Sequence, residues 1–208
     1  MAKFNDGILG GFTGRVGNVI GYRRNGKWVM RALPQKVKNP RTDKQTEHRE
    51  IFKLMIQTAT MLHEGIHIGM RDAARVEGIT ARNLFVKINK QCFSLVDGAL
   101  ETDYDSLLVS YGPLPEPLFG HPEVSAGGVV AVNFTPSADD RPAIGSDYVY
   151  LFAVCPDKAE TALSLPVLRA SGTAGMTLPA QWDSHAVHLY GFAANHDGQA
   201  SPSVHLAL

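Results

Sequence analysis

Apolar positions along this 208-residue chain follow two periods, and the change between them falls near Ser106. In the first half, Val16, Val19, Ile20 and Tyr22 lead into Asn25-Gly26, and Lys27, Trp28, Val29 and Met30 follow. Asn-Gly between two such runs predicts a β-hairpin over 16–32, because a type I′ turn needs positive φ at both central residues. Six glycines precede or interrupt its first strand, among them Gly14, Gly17 and Gly21, so that strand needs something to lie against. After an extended stretch at 33–40, Thr42 and Gln45 have capping-box spacing. Ile51, Leu54, Met55, Thr58 and Leu62 then recur at helical intervals, which predicts an amphipathic helix of about five turns. Gly65 and Gly69 stand where they could end or bend it, and a further helix starts at Thr80 and runs through Leu84, Phe85 and Ile88 toward Phe93.

Beyond Ser106 the pattern becomes short apolar runs separated by turn residues: 129–134, 148–155, 162–168, 175–178, 186–194 and 203–208. That spacing predicts an all-β sandwich. The fold class expected is therefore α+β, an N-terminal β-hairpin plus helices followed by an immunoglobulin/fibronectin III-like sandwich. The proline-rich stretch around Pro113, Pro115 and Pro117 reads as a stiff linker. It divides the chain into a basic glycine-rich hairpin and helical domain at 1–111, a linker at 112–120 and a sandwich at 121–208. The segment 187–203 resembles the last hairpin of a fibronectin type III domain, in its Asn195-to-Gly198 turn and its Ser201-Pro202-Ser203 approach. Val187 stands near the place of that fold's corner tyrosine.

Charge changes the picture more than composition does. The chain carries 20 Lys and Arg against 20 Asp and Glu, yet residues 1–90 hold 17 bases against seven acids and residues 91–208 hold three against 13. A neutral total conceals halves of about +10 and about −10. No run of apolar residues is long enough to span a bilayer, and the start lacks a signal-peptide pattern, so a cytoplasmic location and no membrane partner are expected. Cys92 and Cys155 have no ligand-type neighbours in sequence and read as buried thiols.

His63-Glu64-Gly65-Ile66-His67 is a literal HExxH, the pattern by which two helical histidines hold zinc while the glutamate serves as base. Gly65 disfavours the helix it requires, and no further histidine follows within fifty residues. Surface histidines on an amphipathic helix are the reading preferred over a zinc hydrolase. Gly21 to Lys27 has P-loop spacing, but Trp28 stands where a magnesium-binding hydroxyl belongs and the segment is a hairpin. His185, His188 and His205 fall in the sandwich and read as solvent-facing strand residues. The basic stretch is different: Arg23, Arg24, Lys27, Arg31, Lys36, Lys38 and Arg41, with Trp28 among them, form a candidate interaction surface for an acidic protein or for nucleic acid.

The glycine-rich stretch 7–22, Asn39-Pro40-Arg41-Thr42 with Gln45, Arg49 and Phe52, the stretch Ser110-Tyr111-Gly112-Pro113, and Leu178-Pro179-Ala180-Gln181-Trp182 together resemble an uncharacterised family of Bacteroidetes proteins. That resemblance implies a glycine-rich hairpin, a helical middle and a C-terminal sandwich, and it implies no metal motif at 63–67. The stretch from Asn39 to Phe52 also resembles phage-associated virion proteins. The expectation is a non-enzymatic structural or interaction protein of a phage-like or other multi-subunit assembly, with no cofactor. Its halves of opposite charge favour self-association head to tail, and nucleic-acid binding through the basic hairpin is the alternative.

Overall fold

The computed structural model describes residues 3–4, 10–34, 41–125, 127–135 and 146–208. The chain divides into two units, Met1–Gln45 and Thr46–Leu208. The first is an antiparallel sheet in the order β1 (Lys3–Phe4), β2 (Phe12–Val16), β3 (Val19–Arg24) and β4 (Lys27–Ala32). Asn25 and Gly26 have φ of 48° and 78°, the left-handed pair that the β3–β4 turn demands. Gly17, at φ 56°, makes the preceding turn, so the expected hairpin at 16–32 gains a further strand before it. Lys36 and Lys38 lie outside the described residues, as does most of the stretch expected to be extended.

In the second unit the helical period resolves into two helices, α1 (Asp43–Met61) and α2 (His63–Val76), joined at Leu62. Gly65 and Gly69, which were expected to end or bend the helix, lie inside α2. A Cβ on Gly65 would come within 2.6 Å of Val109 Cγ1, and one on Gly69 within 2.5 Å of Ser110 Cβ. Their helix cost is offset by close approach to the 107–111 segment. Helix α3 (Ala81–Ile88) is capped as expected, with Thr80 Oγ1 accepting from Asn83 N at 3.2 Å. It stops short of Phe93, where β5 (Phe93–Val96) turns through Asp97-Gly98 into β6 (Ala99–Thr102), a hairpin not anticipated from the sequence.

The remaining strands are β7 (Leu118–Phe119), β8 (Glu123–Ser125), β9 (Val129–Thr135), β10 (Tyr148–Cys155), β11 (Glu160–Leu163), β12 (Val167–Leu168), β13 (Thr173–Thr177), β14 (His188–Ala194) and β15 (Val204–Leu206). They form two sheets, β11-β10-β14-β15 with β12 on β10, and β13-β9-β7 with β8 on β9. All their pairings are antiparallel. The protein is thus α+β with sandwich-like sheets.

Alternation explains how the layers meet. Strand β9 alternates between exposed and buried, as a strand with one solvated face does, whereas β10 and β14 are apolar and buried on both faces. Phe152, Val154, Tyr190 and Phe192 join Leu62, Ile66, Met70 and Phe85 of the helical layer. Val149, Leu151, Ala153, Leu189 and Ala193 face Val130, Val132 and Met176 of the other sheet. The helices and the sandwich therefore share a core, and the stretch expected to link two domains lies inside the second unit. There Tyr111 N donates to Gly69 O (2.9 Å), Leu114 N donates to Ala200 O (3.1 Å), and Ser203 Oγ accepts from Val109 N (2.9 Å). Arg169 and Asp147 form a buried ion pair in this unit at 3.6 Å.

Candidate functional site: the N-terminal sheet and two histidine clusters

Cross-strand neighbours share a face, so the register of the first sheet sorts its side chains. Ile20 pairs with Arg31 and with Arg15, Tyr22 with Val29, and Arg24 with Lys27. One face therefore carries four cations, Arg15, Arg24, Lys27 and Arg31, with the Arg31 guanidinium 5.8 Å from the centre of the Tyr22 ring. On the other face Gly21 pairs with Met30, Arg23 with Trp28, Val19 with Ala32, and Val16 with Val19. Phe12, two residues before Gly14, joins this face, and a Cβ on Gly21 would meet its ring at 2.6 Å. A Cβ on Gly11 would likewise overlap the Trp28 indole. Gly11 and Gly21 are the floor on which the Trp28 and Phe12 rings lie.

This sorting divides the residues expected to act together. Arg24, Lys27 and Arg31 share the basic face, while Arg23 lies on the apolar face, 5.7 Å from the Trp28 ring centre. Arg41 is exposed two residues before α1. Arg15 belongs to the basic face and was missed from sequence; its two-residue spacing across the Gly17 turn was the available signal. The apolar face is open to solvent: Met30 is 69% exposed, Val16 44% and Trp28 38%. Across residues 10–34 and 41–45 of this unit only Gly21 is buried.

The histidines of the two patterns lie in different settings. His63 and His67 are exposed on α2, with stacked rings 5.8 Å apart beside an open cavity of about 490 Å³ lined also by Arg82 and Asn83. No third ligating side chain joins them among the described residues. His185 is exposed in a short 3-10 turn, but His188 and His205 are not the separate solvent-facing residues expected. His188 Nδ1 lies 3.2 Å from His205 Nε2, and Asp105 Oδ1 lies 3.7 Å from His188 Nδ1 and 3.5 Å from His205 Nδ1. Burial, then the neighbouring His205, pushes His188 below the ordinary imidazole value against the pull of Asp105. Burial also raises the Tyr190 phenol, whose Oη donates to Tyr104 O at 2.7 Å.

The chain matches the model of a family described as "Family of unknown function (DUF6266)" over residues 11–207. It belongs to this family. No curated protein and no solved structure matches it. The DUF6266 match starts at Gly11, beneath the Trp28 indole, and runs through both units, so the open sheet is as much a part of the family's pattern as the layered second unit. Among the described residues of this DUF6266 chain, no helix is long and apolar enough to cross a membrane.

Proposed function

We propose that this protein is a non-enzymatic interaction component that assembles with further copies of itself through the N-terminal sheet. The observation that carries this reading is a sheet of single thickness with an open apolar face built from Val16, Val19, Trp28 and Met30. A sheet gains stability by burying one face against another layer, and contiguous exposed apolar surface marks an interaction site. Charge selects the partner. Residues 1–45 hold ten Lys and Arg against two acids, and residues 46–208 hold ten against 18, so the units carry about +8 and about −8. The basic unit of one copy is complementary to the acidic unit of the next, and such head-to-tail contacts extend into rings or filaments.

We read the paired sheets of the second unit as fibronectin III-like, supported by the β14–β15 hairpin and its Asn195-to-Gly198 turn, in which Gly198 N donates to Asn195 O at 3.1 Å. In that role the sandwich spaces successive sheets along an assembly of the virion type that the stretch at 39–52 resembles. The test is light scattering on the full chain across protein concentration and salt. Association at low salt that weakens as salt rises supports the reading, and a monomer throughout refutes it.

One observation favours a second reading: four cations and Tyr22 share a single face, a combination that contacts phosphates and stacks bases. It predicts binding of a single-stranded oligonucleotide at low salt, weakened by Arg24→Ala and Lys27→Ala and unaffected by Met30→Ala. Self-assembly predicts sensitivity to Met30 as well.

A further inference from the structure

We propose that Asp105, His188 and His205 form a binding site for a divalent transition-metal ion, with Zn2+ the ion it suits best. The inference is independent of how the N-terminal sheet acts. Each residue offers one ligand atom, and the three atoms lie within 4.8 Å of one another. Bonds of about 2.1 Å to a tetrahedral ion place ligand atoms about 3.4 Å apart. With His205 ligating through Nδ1, Asp105 Oδ1 lies 3.5 Å from it and 3.7 Å from His188 Nδ1, both close to that distance. Two imidazoles with one carboxylate are a donor set of intermediate softness, which suits zinc better than the all-oxygen shells of magnesium or calcium.

Paired strands present the two histidines. His205 lies opposite Tyr190, and His188 is two residues from Tyr190 on β14, so both rings project from one face. They are held from the sides: Tyr104 stacks on His188 with centroids 4.6 Å apart, and Tyr190 tilts against His205 at 5.4 Å. The hydrogen bond from Tyr190 Oη to Tyr104 O anchors the backbone next to Asp105. Ligands whose orientations are fixed by neighbouring groups lose less freedom on binding an ion. The His188 and His205 side chains are 29% and 18% exposed, against 76% for Asp105. The site is closed by protein beneath and open to water on the Asp105 side, leaving a coordination position for water or for a side chain from elsewhere. A bound ion would clip the loop at 103–106 to the β14–β15 hairpin.

The test titrates ZnCl2 into the full chain, prepared without a histidine tag and stripped with chelator, by calorimetry, with Co2+ absorption as a spectroscopic check. The expected result is one Zn2+ per chain and a raised melting temperature on binding. Asp105→Asn should weaken binding roughly tenfold or more and His205→Gln roughly 100-fold or more, by loss of a ligand. His63→Ala with His67→Ala should leave the affinity unchanged. Should His205→Gln fail to fold, Asp105→Asn at its exposed position decides. Absence of Zn2+ binding by the unmutated chain, unaltered affinity in Asp105→Asn, or loss of binding in the His63 and His67 variant would overturn the proposal.

Discussion

The two units treat the same kind of element in opposite ways. In β10 and β14 almost every side chain is buried, because helices cover one face and a second sheet covers the other. In the N-terminal sheet, strands that interleave apolar with basic residues keep Val16, Trp28 and Met30 open to water. The first arrangement is a core, whose residues matter through packing and stability. The second is a surface, whose residues matter through what they meet. Substitutions of similar size should therefore be read out as lost folding in one unit and lost association in the other.

The largest contrast comes from truncating Phe152, which is fully buried between the helices and the sheet. Phe152→Ala should cost about 3–5 kcal/mol in urea unfolding, from lost transfer energy and the cavity left behind. A cost under about 1 kcal/mol would show that the layers do not share a core. Enlarging the glycine beneath the same layer probes the contact from the other side. Gly65→Leu should cost about 1–3 kcal/mol, because Val109 and Phe152 already occupy the space. A smaller effect follows at the start of α3, where Thr80→Ala removes the hydroxyl that accepts from Asn83 N and should cost about 1 kcal/mol. In the sheet unit, Met30→Ala should change unfolding by no more than about 0.5 kcal/mol while weakening association in sedimentation. A stability loss like that of Phe152 would place Met30 in a core and end the distinction.

How far the sequence was legible follows the same division. Local chemistry could be read directly: Asn25-Gly26 adopts its left-handed pair, and Thr80 caps its helix. The nearly continuous apolar runs of β10 and β14 are legible as strands, but nothing in their period says that helices cover the second face. The glycines at 65 and 69 looked like helix breakers because their reason, contact with Val109 and Ser110, lies some forty residues away. The basic stretch was legible as charge but not as a face, since only the register shows that Arg23 and Arg24 point in opposite directions. The cluster of Asp105, His188 and His205 left no local signal, because its members come from a loop and two strands that meet only in the folded chain. HExxH had the strongest local signal for a metal, yet no third ligand joins it among the described residues.

Light scattering of the full chain, with Met30→Asp and Lys27→Glu variants beside it, tests the central claim most directly. The open sheet predicts a mass that rises with concentration at low salt, falls toward one chain as ionic strength increases, and stays at one chain in both variants. A single-chain mass at every concentration and salt, or association that both variants leave unchanged, would contradict it.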